Sequence, residues 1–121
     1  MVELPPYYGW LEVEEVGGVT VMRLSARTIL GAEAVGAIGE QLQLLAEGSG
    51  SRHFVLSLAR VESVTTDMVG TFVALHRRVQ ADGGRLVLCG VGDFLGQILG
   101  VLKLTEVFPV YADEAEALRS F

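Results

Sequence analysis

Short apolar runs alternate with helix-forming stretches along this chain, and this alternation limits its fold more than any other feature of the sequence. The apolar runs are suited to buried strands and cover residues 54–58, 85–89 and 107–111. Each run is followed by a stretch that predicts a helix, and these stretches cover residues 67–81, 94–102 and 114–120. Strands that alternate with helices predict right-handed crossovers and a largely parallel sheet.

The N-terminal part adds a hairpin and one more helix to this pattern. Residues 10–16 and 19–24 are rich in strand-forming residues, and the Gly17-Gly18 pair between them is typical of a tight hairpin turn. Residues 32–46 carry apolar side chains at three- and four-residue spacing, which predicts an amphipathic helix, and residues 48–51 follow it as a loop. The prediction is therefore an α/β protein with a mixed, largely parallel sheet, an N-terminal β-hairpin and four helices.

Length and charge limit the class of protein. With 121 residues, the chain is expected to form a single domain over residues 1–121. Half of the residues are hydrophobic, which excludes an intrinsically disordered chain. Fifteen acidic against nine basic residues give a net charge of −6, so we expect the protein to repel nucleic acid and anionic lipid and to favour a basic partner.

The sequence predicts a cytoplasmic protein without membrane insertion. Cys89 is the single cysteine, so no intramolecular disulfide forms and no oxidising compartment is required. The N-terminus has no Lys or Arg before Arg23, and therefore lacks the basic flank of a signal peptide. The most hydrophobic segment, at residues 94–102, is far shorter than the roughly 20 residues that cross a bilayer.

The residue pattern favours neither a metal site nor a cofactor. His53 and His76 have no Cys or second His at ligand spacing, and Cys89 has the position of a small buried hydrophobic residue. The glycines of residues 90–96 do not have the spacing of a dinucleotide fingerprint. Gly92, Gly96 and Gly100 instead share one helical face, where a neighbouring backbone is expected to approach. We expect no cofactor and a monomeric protein.

The stretch at residues 64–70, between a strand and the next helix, allows two interpretations. A hydroxyl residue followed by Asp67 at a helix start is a good N-cap with a favourable first-turn charge. An exposed hydroxyl at such a junction is also well placed to accept a phosphate, because free amides and the helix dipole hold it. Sequence alone leaves both interpretations of Thr66 open.

The element order, together with the Thr65-Thr66 pair, resembles the STAS domain of anti-sigma factor antagonists. The segments that look most like the family are residues 55–61, 65–66, 75–79, 83–91 and 101–111. The resemblance implies a non-catalytic scaffold whose junction usually reads Asp-Ser-Ser/Thr-Gly, with the residue after Asp phosphorylated by a kinase that is also the anti-sigma factor. It places Thr65 at the Asp position and Thr66 at the phosphoacceptor position, while Asp67 and Met68 stand where Ser and Gly are common.

Two functions follow from this resemblance as hypotheses, and neither is enzymatic. In the first, the protein binds an anti-sigma factor or a related serine kinase-like ATPase through the junction and the helix at residues 67–81, with Met68, Val69 and Gly70 as contacts beside Thr66. In the second, it is a subunit that docks on an ABC-transporter ATPase of a lipid-trafficking system. A small enzyme or nucleotide binder would need a convergent set of titratable residues, and the sequence presents none.

Overall fold

The computed structural model describes residues 10–25, 27–29, 31–48 and 50–121. The strands are β1 (Leu11–Val16), β2 (Val19–Leu24), β3 (Thr28–Ile29), β4 (His53–Ser57), β5 (Ser63–Val64), β6 (Arg85–Cys89) and β7 (Val110–Tyr111). The helices are α1 (Ala32–Gly48), α2 (Thr66–Ala81), α3 (Asp93–Val101) and α4 (Glu114–Arg119), with a short 3-10 turn at Leu104–Glu106. Residues 1–9, which bear on the expectation about a signal peptide, and Ser49 of the predicted loop lie outside the described residues.

Five of these strands form one sheet in the order β1-β2-β4-β6-β7. β1 pairs antiparallel with β2 at the sheet edge, and the other neighbours pair in parallel. The turn between β1 and β2 has Gly17 at φ 56° and Gly18 at φ 85°, values that glycine adopts without steric cost. The predicted mixed, largely parallel sheet with an N-terminal hairpin and four helices is confirmed.

Apart from shifts of one or two residues at element ends, such as α1 extending to Gly48 of the predicted loop, the structure departs from the predicted elements at two places. β3 and β5 pair in parallel as a separate two-stranded sheet, which the sequence analysis did not predict. The last strand is shorter than predicted because the chain before it forms the 3-10 turn and buries Phe108 completely. Pro109 follows and has no amide hydrogen to donate to a ladder, although its carbonyl accepts from the amide of Leu88 at 2.9 Å.

Helices cover the two faces of the five-stranded sheet unequally. The larger apolar cluster joins one face to α1, α2 and α3, with Met22, Leu56 and Leu88 contributed by the strands. The opposite face carries a smaller cluster that includes Val55 and Cys89 and is covered by Ala117 of α4. The helix at residues 94–102 of the prediction therefore packs on the same side of the sheet as α2.

An ion pair attaches α4 to the face of the sheet that carries the smaller cluster. The guanidinium of Arg23 on β2 contacts the carboxylate of Glu114 at 2.7 Å and that of Glu14 at 2.8 Å. The hydrogen bond from Arg23 lowers the pKa of the Glu114 carboxyl, since the bond favours its ionised form. This contact fixes the start of α4 against the strands.

The expected close backbone approach at the glycines of α3 is wrong. Apart from the adjacent residues and the helix's own backbone, no described atom lies within 4 Å of where a Cβ would stand at Gly92 or Gly100, and at Gly96 the nearest is a methyl of Val91 at 3.8 Å. The glycine face of this helix is instead open. Among the described residues, no helix is both long and apolar enough to cross a membrane.

Candidate functional site

The start of α2 brings the predicted Thr65-Thr66 pair to the surface of the molecule. Thr65 is the N-cap residue, with extended backbone at φ −82° and ψ 161°, and its carbonyl accepts from the amide of Met68 at 3.1 Å. Its side chain makes no capping bond, and its buried Oγ1 has no hydrogen-bond partner among the described residues. The capping role considered for Thr66 is therefore not borne out, because Thr66 stands one residue inside the helix.

Thr66 is exposed and forms part of the wall of an apolar groove. The groove has a volume of about 320 Å³. The other residues that line it all belong to α3 or its C-cap: Phe94, Gln97, Ile98, Val101 and Leu102. Thr66, the candidate phosphoacceptor, thus lies beside a largely hydrocarbon surface.

Most of the apolar side chains in this wall are open to solvent. Phe94 is 55% exposed, Val101 82% and Leu102 50%. Buried side chains of the same helix, Leu95 and Leu99, hold it on the core. An exposed apolar surface of this kind on a small protein is typical of an interaction site.

The predicted contact residues of α2 divide between surface and core. Asp67 and Gly70 are exposed and available to a partner. Met68 is completely buried and Val69 is 2% exposed, and both belong to the larger apolar cluster. Their side chains face the sheet because they lie on the same stripe of α2 as Phe72, so a partner reaches neither of them in this structure.

The sequence predicts no site at the groove residues on α3. It indicates that α3 is very apolar, but the apolar residues fall on two faces of the helix. Leu95 and Leu99 are spaced by four and face the core, while Phe94, Ile98 and Val101 recur at four and three on a second stripe. A helix with two apolar stripes and one sheet beneath it leaves one stripe uncovered.

The two histidines and Cys89 pack against other side chains of the fold. His76 packs its ring edge against Phe108 with centroids 5.1 Å apart, and burial lowers its pKa. His53 stacks on Phe121 at 4.9 Å. Burial raises the pKa of the Cys89 thiol, which disfavours the reactive thiolate. Within the described ranges no cluster of three His, Cys, Asp or Glu residues is arranged to hold a metal ion.

A second cavity of about 360 Å³ lies at the carboxyl ends of β4 and β6, on the face that α4 covers. Ser57, Cys89 and Glu114 contribute to its wall. Glu114 is already paired with Arg23 in this position. Asp113 also lines the cavity and accepts from the amide of Glu116 at 2.9 Å, so both carboxylates in the wall are engaged within the fold.

Comparisons with known proteins point to one family. The sequence model of the STAS domain matches residues 11–117. A protein of Paenibacillus polymyxa named anti-sigma F factor antagonist is 24% identical over 108 residues, which cover 89% of this chain and 91% of that protein. The similarity runs through the N-terminus of α2 and through α3.

Solved structures share the fold at low sequence identity. An anti-sigma factor antagonist (STAS) domain protein from Planctomyces limnophilus has a TM-score of 0.79 at 24% identity, covering 91% of this chain and 95% of that one. The Bacillus cell fate determinant SpoIIAA in its phosphorylated form has a TM-score of 0.68 at 20% identity, covering 91% of this chain and 97% of that one. Both likenesses extend over nearly the whole of the described chain.

Proposed function

We propose, since this chain belongs to the STAS domain family, that it is an anti-sigma factor antagonist which binds an anti-sigma factor and catalyses no reaction. The observation that carries the proposal is the position of Thr66. This residue is exposed at the start of α2 and lines the apolar groove along α3. In this proposal the protein acts in the cytoplasm as a monomer, without a cofactor. Its partner is an anti-sigma factor that is also a serine kinase-like ATPase.

The groove and the exposed part of the α2 N-terminus form the proposed docking surface, which we call the α2–α3 surface. It comprises Thr66, Asp67 and Gly70 from α2 and the lining residues of α3. Burial of half-exposed apolar side chains such as Phe94 against a partner supplies the main driving force for association. In this proposal the buried Met68 and Val69 support the surface from below, and the exposed residues make the contacts.

Thr66 is the proposed phosphoacceptor that controls the α2–α3 surface. A phosphate adds about −1.5 to −2 charges. It would stand in the wall of an apolar groove beside the carboxylate of Asp67, so docking would require it to lose water in an unfavourable setting. Phosphorylation is therefore expected to weaken partner binding.

A direct test is capture of the partner on the immobilised full chain, followed by identification by mass spectrometry and by titration of the purified pair. The proposal expects an anti-sigma factor with a kinase-like ATPase domain. Recovery of an ABC-transporter ATPase as the stoichiometric partner would instead support the lipid-trafficking hypothesis and would contradict the proposal.

The control by Thr66 is tested with two substitutions. Thr66→Asp should weaken partner binding at least tenfold, whereas Thr66→Ala should bind like the wild type, because the hydroxyl itself is not required for docking. Both variants should unfold within about 0.5 kcal/mol of the wild type, since Thr66 is exposed and does not cap α2.

A matched control for added charge is Gln80→Glu, an exposed position near the other end of α2. It adds one negative charge, as Thr66→Asp does, but far along the helix from the groove. Titration calorimetry should give the same dissociation constant for Gln80→Glu and for the wild type. If Thr66→Asp binds as tightly as this control, Thr66 does not control the surface.

A further inference from the structure

We propose that the groove of the α2–α3 surface takes an apolar side chain of the protein partner that is flanked by a Lys or Arg. The inference rests on the proposed function in one respect, that the partner is a protein, and adds the chemistry by which the partner is recognised. It follows from the lining of the groove and from the charges next to it.

The lining of the groove calls for a hydrocarbon group. Phe94, Ile98 and Val101 present side chains at successive turns of α3, and Thr66 closes the groove from α2. The volume of about 320 Å³ is at the lower limit of known ligand pockets, which suits one or two side chains of a protein segment. Anchors of this kind dominate the binding energy of protein interfaces.

The charges adjacent to the groove residues are mainly negative. Asp67 follows Thr66, and Asp93 precedes Phe94. Both side chains are exposed, and neither has an ion pair or side-chain hydrogen bond among the described residues. Lys103, after Leu102, follows the C-terminal end of α3, a helix of about 13 Å by its rise per residue.

Some carboxylates elsewhere in the described chain are paired, and unpaired ones such as Glu33 and Glu40 on α1 do not border the groove. Glu12 contacts Arg23 at 3.2 Å, and Glu47 contacts Arg78 at 3.0 Å. Asp67 and Asp93 each lie in the first turn of a helix, where a negative charge is also favoured by the helix dipole. A role limited to the helices would affect folding stability, whereas the proposed role affects binding and its dependence on salt.

The inference is compatible with weaker docking after phosphorylation. The basic residue of the partner would lie at the hydrated rim, where an ion pair contributes little to affinity. A phosphate on Thr66 would instead stand in the groove wall and would have to be desolvated for the apolar anchor to enter. Loss of the anchor outweighs an additional attraction at the rim.

The experiment selects peptides from a displayed library of random 12-residue sequences on the full 121-residue chain. Peptides that also bind a Phe94→Ser/Val101→Ser variant are removed, so that only groove-dependent sequences remain. Circular dichroism melting checks that this variant is folded. The expected consensus is an aliphatic or aromatic residue with Lys or Arg within two positions. Recovery of groove-dependent peptides without a basic residue would overturn the inference, and so would recovery of none.

The consensus peptide, labelled with fluorescein, is then titrated against two charge variants. Asp67→Asn/Asp93→Asn should raise its dissociation constant about fivefold at low salt, the effect expected of two exposed ion pairs. The control Glu33→Gln/Glu40→Gln removes the same charge from exposed positions on α1 and should leave the constant unchanged. Equal effects in the two variants would contradict the inference, because they would show only long-range attraction.

The outcome is separable from that of the proposed function. If the captured partner is not an anti-sigma factor but groove-dependent peptides carry the basic motif, the recognition chemistry stands and the assignment of the partner falls. If an anti-sigma factor binds but the selected peptides lack the motif, the assignment of the partner stands and the recognition chemistry falls. A dimer in sedimentation velocity that Phe94→Ser dissociates would assign the groove to a second copy of the chain and would overturn the inference.

Discussion

The helices α2 and α3 border the same groove but differ in how many of their apolar side chains are buried. α2 has 16 residues and buries five apolar side chains against the sheet and α1: Met68, Val69, Phe72, Leu75 and Val79. α3 has nine residues and buries only Leu95 and Leu99, while Phe94, Val101 and Leu102 are at least half exposed. One helix is part of the core and the other is held on its edge.

This difference follows from the distribution of apolar residues around each helix. In α2 they form a single stripe, and the opposite side carries polar residues such as Arg77 and Gln80. In α3 they occur on more than one side, and only one side faces the rest of the fold. The core residues of α2 thus fix the position of Thr66, and the uncovered residues of α3 provide a surface beside it.

The largest expected effect tests the core role of α2. Phe72 is completely buried, so Phe72→Ala should lower the free energy of unfolding by about 3 to 5 kcal/mol, a large part of the total stability of such a domain. Urea denaturation measures this loss of unfolding free energy. The matched substitution Phe94→Ala on α3 should cost less than about 1 kcal/mol, because that ring is half exposed. Equal losses would remove the distinction between the two helices.

The next effect tests the surface role of α3. Phe94→Ser should weaken binding of the captured partner at least tenfold, or about 1.4 kcal/mol, because it removes an apolar contact from the groove. The melting temperature should stay close to that of the wild type. Leu44→Ser on α1 is the control, since Leu44 is 48% exposed and does not line the groove. Unchanged affinity of the Phe94 variant would exclude α3 from the interface.

The contrast between the helices also explains what the sequence made predictable. The hairpin and α2 have clear local signals, namely a Gly-Gly turn between strand-forming runs and a single apolar stripe of three- and four-residue spacing. These signals are local, so they can be recognised in the sequence without knowledge of the tertiary contacts.

The parts that were missed lack such a signal. β3 and β5 have two residues each, too few for any periodicity to be read. The apolar residues of α3 do not themselves indicate which of its faces the sheet covers. At the junction, Thr65 and Thr66 are equally suited to cap a helix, and only the backbone of the folded chain distinguishes the N-cap from the first helical residue.

A smaller effect concerns the N-terminus of α2. The Oγ1 of Thr65 is buried without a partner among the described residues, and an unsatisfied buried hydroxyl is destabilising. Thr65→Val removes this oxygen at nearly constant volume and should raise the free energy of unfolding by about 0.5 to 1 kcal/mol. Thr66→Val, at an exposed position, is the control and should change it by less than about 0.5 kcal/mol. A destabilised Thr65→Val variant would show that the hydroxyl caps α2 in solution.

A further effect concerns the backbone just after the C-terminal ends of the two helices. Gly83, two residues after the last residue of α2, has φ 78°, a left-handed conformation that glycine adopts freely. Lys103, two residues after the last residue of α3, lies in the same region with φ 58° and ψ 26°, where a side chain is unfavourable by roughly 1 kcal/mol. Lys103→Gly removes this strain but adds freedom to the unfolded chain, so the net gain in unfolding free energy should be no more than about 0.5 kcal/mol.

The reverse substitution, from glycine to lysine, tests the corresponding backbone position after α2. Gly83→Lys should lower the free energy of unfolding by about 1 kcal/mol, because it introduces at the end of α2 the strain that Lys103 imposes at the end of α3. Lys103→Gln removes the charge while keeping a side chain in the left-handed conformation, and it should unfold like the wild type. If Lys103→Gln gained as much stability as Lys103→Gly in urea denaturation, the charge and not the backbone would distinguish the two helix ends.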